Sequence, residues 1–352
     1  MKVTYLVGNG LDIHIGLKTR YSDFYDYLEN SNDINLNNKV FKSIIEERFE
    51  TQENNVAKID WSDFEIAIGK YVDRISNKDD LNSFIEDFEE FVDEFTNFID
   101  DQLISLNLDK FTFKSNEIFH ESILRPIKLD ERDQIHLNEI YKKTDNQNQE
   151  RNFIVFNYTK IFEDIVVNWI RKNPNSSIKI NNPIHIHGYS QMQTLMGVND
   201  ESQLCGVYST DEDLQMMLIK TKSNEKASTL RFEKATKLLK ESNLIIVFGM
   251  SLGESDKYWW QKIIENLEND SSSNVIIYAY EHDKKALNKF IRKMFNKQNQ
   301  WKNKLLIQSE NEINQELKSR IFIQFDTQKI FNFENLVEND YAVTSNNKML
   351  QK

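Results

Sequence analysis

A short apolar run that breaks at once into a glycine turn is the feature that most constrains this chain. Residues 3–7 form the run, and Gly8-Asn9-Gly10 follows directly. This order is typical of a buried strand that ends in a tight turn and leads into a helix or an ordered loop. Glycines bring bare backbone N–H groups close to a ligand, which suits a phosphate. The turn is therefore either one wall of an anion site or a tight turn alone.

Further apolar runs that are typical of strands lie beyond residue 150. Their continuous apolar character favours strands buried on both faces, as in a parallel sheet. The main runs are 153–156, 243–248 and 274–280, with shorter strands predicted at 178–180, 184–188, 305–307 and 321–325. Helical patterns follow several of them, at 160–170, 210–242 and 257–267.

Residues 30–150 show helical periodicity instead. Within 81–108, Phe84, Phe88, Phe91 and Phe95 recur at the spacing of one helical face, which is typical of a core seam. The chain therefore predicts an α/β fold, a Rossmann-like parallel sheet with helices on both faces and a large helical insertion after the first strand. The predicted division is 1–29 for the first strand, glycine loop and helix, 30–150 for the helical insertion, 151–300 for the remainder of the α/β core, and 301–352 for a C-terminal extension with a polar tail.

Ligands of such sheets bind beyond the carboxyl ends of the strands. The residues that fall there predict one shared site. They are Gly8, Asn9, Gly10, Asp12, Asn157, His187, Gly188, Gly249, Ser251 and Asp256. The dinucleotide fingerprint of dehydrogenases is not met, because Ile13 stands where its third glycine belongs, and a Walker phosphate loop is absent from the sequence.

The polar candidates also have structural interpretations. Asn157 and Asp256 could each cap the helix that follows. His187 could be a hydrogen-bonded histidine under a loop, although its position at a strand end before a glycine favours function. His185 shares a face with His187 by two-residue alternation, and there a structural role is favoured.

Carboxylates also cluster near Trp61. Asp60 and Asp63 suit the start of a helix, and Glu65 follows on the next turn. Together with Asp12 they could bind a metal, so a metal-dependent nuclease is one alternative function.

The composition limits the partners. The formal net charge is −12 with acidic and basic residues interspersed, which argues against nucleic acid as a ligand. The single cysteine, Cys205, excludes an internal disulfide framework. No apolar run approaches the ~20 residues of a membrane span. We expect a cytoplasmic protein without a membrane partner.

Five ordered motifs resemble the AbiH family of bacterial abortive-infection proteins. They read L-V-G-N-G-L-D-I-H-I-G-L, W-S-D-F-E, F-N-Y-T, I-H-I-H-G and V-F-G-M-S-L-G-E-S-D, between about residues 4 and 265. The same order resembles, more distantly, the sirtuin-like domains of anti-phage defence systems. In that group an asparagine and a histidine are required for NAD⁺ cleavage, and they match Asn157 and His187. Thr159 stands where the group has an aspartate, and Asp12 where a small hydroxyl residue is usual.

The resemblance implies an anti-phage effector that binds and hydrolyses NAD⁺ or a related nucleotide at a sirtuin-like site. NAD⁺ would be the substrate or ligand, with no metal or further cofactor required, and a phage-derived trigger and a homo-oligomer are further expectations. In this interpretation His187 takes a proton and Asn157 orients the nucleophile. Gly249 and Ser251 would contact the adenosine side, and Asp256 the ribose hydroxyls. The remaining alternative is a nucleotide-sensing or assembly module without turnover.

Overall fold

The fold is built on a parallel sheet that brings distant segments of the chain side by side. The computed structural model describes residues 1–30, 37–43, 61–104, 108–124, 129, 131–144, 148–190, 192–281, 291–307, 315–325 and 327–333. The strands are β1 Lys2–Val7, β2 Gln149–Val155, β3 Ile178–Ile180, β4 Ile184–His185, β5 Leu244–Phe248, β6 Asn274–Tyr278 and β7 Ile321–Gln324. Their order is β3-β2-β1-β5-β6-β7, with β4 also paired to β2, and the pairs are parallel. The predicted parallel α/β sheet is confirmed.

The first strand lies between two strands that are remote in sequence. Val7 pairs with Val155 on one side and with Phe248 on the other. The chain extends outward from β1 to β2, β3 and β4, and then returns to β5 on the opposite side of β1. Such a reversal is where open α/β sheets bind their ligands, beyond the carboxyl ends of the strands.

Helices precede and follow most of the strands. They are α1 Gly10–Ile15, α2 Tyr21–Asn30, α3 Trp61–Tyr71, α4 Lys78–Ile104, α5 Leu108–Leu124, α6 Glu131–Thr144, α7 Ile161–Lys172, α8 Glu212–Leu218, α9 Lys220–Lys240, α10 Lys257–Asn269, α11 Ile291–Leu306 and α12 Gln315–Ser319. Among the described residues, none of the helices has the length and apolar character that a membrane crossing requires.

Both faces of the sheet are apolar, because successive residues of a strand point to opposite sides. On one face Tyr5 and Val7 pack with residues of α1, α5, α6 and α7. On the other face Leu6 packs with residues of α9, α10 and α11. The prediction of helices on both faces is confirmed.

The helical block between β1 and β2 packs in two places. The phenylalanines of α4 form a third apolar core with α2, α3 and residues 196–219. Phe119 of α5 and Leu137 of α6 instead pack against the sheet. The described residues of the predicted insertion are helical. Part of the insertion packs on the sheet and does not belong to a separate unit. The domain boundaries stay a prediction.

Three local expectations were wrong. Residues 305–307 are not a strand, because Leu305 and Leu306 end α11 with their side chains buried against the sheet. The strand expected at 184–188 is limited to Ile184–His185. The helical region 210–242 is broken at Ile219, whose extended backbone forms a parallel bridge with Val198. The last strand, Ile321–Gln324, is confirmed, and the polar tail lies outside the described residues.

Candidate functional site

The glycine turn after β1 is joined to the turn after β5. The Gly8 N–H donates to the Phe248 carbonyl at 2.9 Å, and the Gly10 N–H donates to the Gly249 carbonyl at 2.8 Å. These bonds continue the β1–β5 pairing beyond the strands. Neither N–H is therefore available to a phosphate in this arrangement, contrary to the sequence-based hypothesis.

Close approach of the two backbones explains the glycines. A Cβ on Gly8 would lie 2.4 Å from Cγ of Met250, and one on Gly10 would lie 2.5 Å from Cα of Gly249. Gly249 has a φ of +70°, and its Cβ would lie 2.8 Å from the Leu11 nitrogen. Side chains at these positions would separate the two turns. The glycines are thus explained by the contact between the two turns, whereas a ligand at this edge of the sheet stays a prediction.

Asn9 has a local structural role. Its Nδ2 donates to the Thr19 carbonyl at 2.6 Å, and its Oδ1 accepts from the Thr19 hydroxyl at 2.8 Å. These bonds hold the start of α1 against the segment that precedes α2.

The turn after β5 offers the backbone donors that the first turn lacks. The N–H groups of Met250, Ser251 and Leu252 donate no hydrogen bond to any residue in the described part of the chain. Leu252 has a φ of +56° and a buried side chain, which anchors the turn in the core. Ser251 is exposed, and its carbonyl accepts from Nζ of Lys304 at 2.6 Å.

Asp12, Asn157 and Thr159 form a first buried cluster at the ends of β1 and β2. The Thr159 hydroxyl lies 3.0 Å from Oδ1 and 2.9 Å from Oδ2 of Asp12 and donates to this carboxyl. Burial raises the pKa of Asp12 from 3.8 to about 7, and the polar contacts with Asn157 and Thr159 only partly oppose this effect. The Asp12 carboxyl can therefore hold or release a proton near neutral pH.

The Asn157 amide is buried and incompletely bonded. Its side chain lies near Asp12, yet neither Nδ2 nor Oδ1 has a hydrogen-bond partner in the described structure. Asn157 does not cap the next helix, because α7 begins at Ile161 with Lys160 in the capping position. Buried amides without partners are rare in folded proteins and call for an explanation.

His187 and Asp256 lie in a second cluster. Nε2 of His187 is 3.2 Å from Oδ1 of Asp256, at ion-pair distance but without the alignment of a hydrogen bond. Asp256 does not cap α10, because Asn199 Oδ1 accepts from the Tyr258 N–H at 2.8 Å in its place. The Asp256 side chain keeps 19% exposure, so the cluster is open to solvent on its side.

Aromatic rings and a glycine in the left-handed region fix the position of His187. Its ring packs edge-to-face on Phe156 at 5.3 Å and stacks on Tyr158 at 5.8 Å, measured between ring centroids. Gly188 has a φ of +74°, and a Cβ there would lie 1.8 Å from the Gln193 carbonyl oxygen. Tyr158 in turn donates to the Leu195 carbonyl at 3.1 Å. The histidine is held where the chain leaves β4.

Two charged residues complete the second cluster. Nζ of Lys220 lies 2.9 Å from Oε2 of Glu65 and 3.0 Å from Oδ1 of Asp256. Burial lowers the pKa of the ammonium, but the two carboxylates raise it above its usual value. For Asp256, burial raises the pKa, but the neighbouring Lys220 and His187 outweigh burial and lower the pKa well below its usual range. Sequence reasoning missed Lys220, and only the interruption of the helical pattern near Ile219 could have suggested it.

Four of the predicted polar residues, Asp12, Asn157, His187 and Asp256, thus fall into two neighbouring clusters. Asn157 lies near Asp12, whereas His187 contacts Asp256, and the segment from Phe156 to Tyr158 connects the two clusters. His185 lies apart, with Nε2 at 3.4 Å from Oε2 of Glu163 on α7. Its predicted structural role agrees with this pairing.

Of the carboxylates considered for a metal site together with Asp12, only Glu65 has a described side chain, and it lies in the second cluster. Glu65 is held by Lys220, and its Oε1 accepts from the Gly197 N–H at 3.3 Å. Asp60 and the Asp63 side chain lie outside the described residues. Within the described ranges, no group of three or more His, Cys, Asp or Glu residues is arranged to hold a metal ion.

Comparison with protein families decides the membership of the chain. Residues 4–278 match the sequence model described as "Bacteriophage abortive infection AbiH". The chain belongs to the AbiH family. Comparison with curated proteins gave no match. The AbiH match includes both buried clusters, from Asp12 to Asp256, and it ends at the last residue of β6.

Proposed function

We propose that this AbiH-family protein acts in abortive infection by hydrolysing NAD⁺, or a related nucleotide, at the carboxyl edge of its sheet. The observation that carries the proposal is the Asn157 amide, which is buried just beyond β2 and whose two polar atoms have no hydrogen-bond partner among the described residues. A ligand hydroxyl or a bound water would satisfy it.

The proposed reaction breaks the bond between nicotinamide and ribose. Nicotinamide leaves with the bonding electron pair as a neutral molecule, and a water oxygen bonds to the ribose carbon. The proton lost by water passes to a base, so NAD⁺ and water give ADP-ribose, nicotinamide and a proton. The protein must orient the water and exclude bulk solvent.

His187 is the proposed base. With Nε2 turned to Asp256, Nδ1 is the ring nitrogen left to accept a proton from water or a ribose hydroxyl. The Asp256 carboxylate stabilises the imidazolium that forms, as in other histidine–carboxylate pairs. Asn157 orients the nucleophile through its amide.

The two departures from the sirtuin-like pattern support a common design. Asp12 stands where that pattern has a hydroxyl residue, and Thr159 stands where it has an aspartate. The two side chains are hydrogen-bonded to each other, so this edge of the sheet holds one hydroxyl and one carboxyl, with their positions exchanged relative to that pattern. This exchange supports retention of the sirtuin-like site.

For the nucleotide phosphates, the proposal uses the turn after β5. The N–H groups of Met250, Ser251 and Leu252, which have no acceptor in the described part of the chain, precede α10, whose N-terminal end favours an anion. Gly249 and Ser251 thus keep their proposed place on the nucleotide, whereas Gly8 and Gly10 support the turn from beneath.

Purified full-length protein incubated with NAD⁺ tests the proposal. We expect nicotinamide release, alone or after addition of a phage-derived trigger, and its loss in Asn157→Ala and His187→Ala. His185→Ala is the matched control, because His185 is equally buried but faces Glu163. Unchanged release in Asn157→Ala and His187→Ala with the folded state retained would contradict the proposal.

A second candidate is nucleotide sensing without turnover. The ion pairs that join α3 of the helical block to Asp256 favour it, because they connect the site to a separate apolar core. Calorimetry that detects NAD⁺ or ADP-ribose binding, without nicotinamide release under any condition, would favour sensing over hydrolysis.

A further inference from the structure

Lys220 is buried where a lysine is costly. Its side chain is 5% exposed, and it is the first residue of α9, where the helix dipole disfavours a cation. Removing an ammonium from water costs several kcal/mol unless close anions compensate for it. The stability of α9 therefore does not explain why a lysine stands at this position. Its role lies in its contacts with Glu65 and Asp256.

The two partners of Lys220 come from different parts of the fold. Glu65 belongs to α3 in the helical block, whereas Asp256 follows β5 at the carboxyl edge of the sheet. The backbone is shaped to place Lys220 between them. Ile219 leaves the helical conformation to pair with Val198, and Gly197 beside it has a φ of +143°.

Lys220 and His187 contact the same oxygen atom. Nζ of Lys220 is 3.0 Å and Nε2 of His187 is 3.2 Å from Oδ1 of Asp256. Two carboxylates and one ammonium leave this cluster with one negative charge, which a proton on His187 would neutralise. Among the described residues, Tyr158 also packs on the imidazole, and its pKa is raised well above its usual value by burial and by the charges of Glu65 and Asp256.

We infer that Lys220 is a positioning residue that holds Asp256 against His187 and, through Glu65, couples the helical block to the candidate base. When Glu65 holds the ammonium, Lys220 is shared between the two carboxylates, and Oδ1 of Asp256 attracts His187 as well as Lys220. When Glu65 withdraws, the ammonium turns fully to Asp256 and competes with the imidazole. This inference goes beyond the proposed function and does not require that NAD⁺ is the substrate.

A double-mutant cycle between Glu65 and His187 tests the coupling, because no hydrogen bond or ion pair joins these two residues in the described structure. The unfolding equilibrium constant is measured in urea for the wild type, Glu65→Gln, His187→Gln and the double variant. We expect the unfolding equilibrium constant of the double variant to increase less than the product of the increases in the two single variants. The difference should be a factor of at least about 5. Independent sites combine within roughly 2-fold.

The matched control cycle replaces His187 with His185. His185→Gln combined with Glu65→Gln should reproduce the product of the single effects within about 2-fold, because His185 is paired with Glu163. A Glu65–His187 cycle that is equally independent would overturn the inference.

A second measurement does not depend on stability. The ring ¹⁵N signals of His187 in histidine-labelled protein, assigned by their loss in His187→Gln, are followed at constant pH. We expect Glu65→Gln and the charge-conserving Lys220→Arg to shift these signals, and Lys222→Met on the same helix to leave them unchanged. Unshifted His187 signals in both Glu65→Gln and Lys220→Arg would also overturn the inference.

Discussion

Nε2 of His187 lies 3.2 Å from Oδ1 of Asp256, and the two residues reach this distance from different strand ends. The carboxylate is free for the contact because Asn199 caps α10 in its place. The histidine is fixed by two aromatic rings. The pair therefore results from the packing of several elements. Mutations of the surrounding residues can test each of these contacts.

Loss of the buried ammonium should be strongly destabilising. Lys220→Met leaves Glu65 and Asp256 close together without their cation, and we expect a decrease of about 3–5 kcal/mol in the free energy of unfolding. Lys222→Met is the control, since its ion pair with Glu201 is largely exposed and contributes about 0–1 kcal/mol. Urea denaturation of both variants measures the difference. Equal small effects would show that the Lys220 contacts contribute little.

The stability of the protein should depend on the protonation of Asp12. Because burial raises its pKa from 3.8 to about 7, the folded protein keeps a proton that the unfolded chain releases between these values. The Asp12 carboxyl thus makes its full contribution to the free energy of unfolding below about pH 4. This contribution is lost as the pH rises through about 7.

Asp12→Asn removes this dependence. The free energy of unfolding of the wild type minus that of Asp12→Asn should fall between about pH 4 and pH 8, by an amount on the order of 2–4 kcal/mol. Denaturation at a series of pH values measures it. A difference that is constant with pH would mean that Asp12 titrates normally.

The contact between the two glycine turns should tolerate no side chain. Gly8→Ala and Gly249→Ala should each destabilise the protein by about 1–3 kcal/mol, since each Cβ would overlap the opposite turn. The double variant should be destabilised by less than the sum of the two single effects, because both substitutions separate the same two turns. Ser251→Ala in the exposed part of the turn should change stability by no more than about 0.5 kcal/mol. Additive effects of the two glycine variants would argue against a shared contact.

Asn199 should act as the cap of α10. Asn199→Ala removes the acceptor of the Tyr258 N–H, and we expect a loss of about 1 kcal/mol. Denaturation measures this loss, and hydrogen exchange compares the variant with Asp256→Asn, whose side chain makes no capping bond. If Asp256→Asn alone shortened the helix, as judged by hydrogen exchange at the start of α10, the assignment of the cap would be wrong.

The sequence allowed the sheet to be predicted because continuous apolar runs such as 244–248 are local patterns. It also located the strand ends, where Gly8, Asn157, His187 and Asp256 lie. The sequence could not reveal that β1 pairs with β5. The sequence-based prediction therefore assigned the Gly8 and Gly10 N–H groups to a phosphate, although they bond to the carbonyls of Phe248 and Gly249. Lys220 escaped notice for the same reason, because its partners lie 155 and 36 residues away in the chain.

The central claim is that Asn157 and His187 act on one nucleotide at the carboxyl edge of the sheet. A crystal structure of the full-length protein with ADP-ribose tests it most directly. We predict that the ribose lies within hydrogen-bond distance of the Asn157 amide and of Nδ1 of His187, with the phosphates at the turn formed by residues 249–253. ADP-ribose bound elsewhere, or binding that leaves the Asn157 amide and the His187 ring without contact to it, would contradict the account.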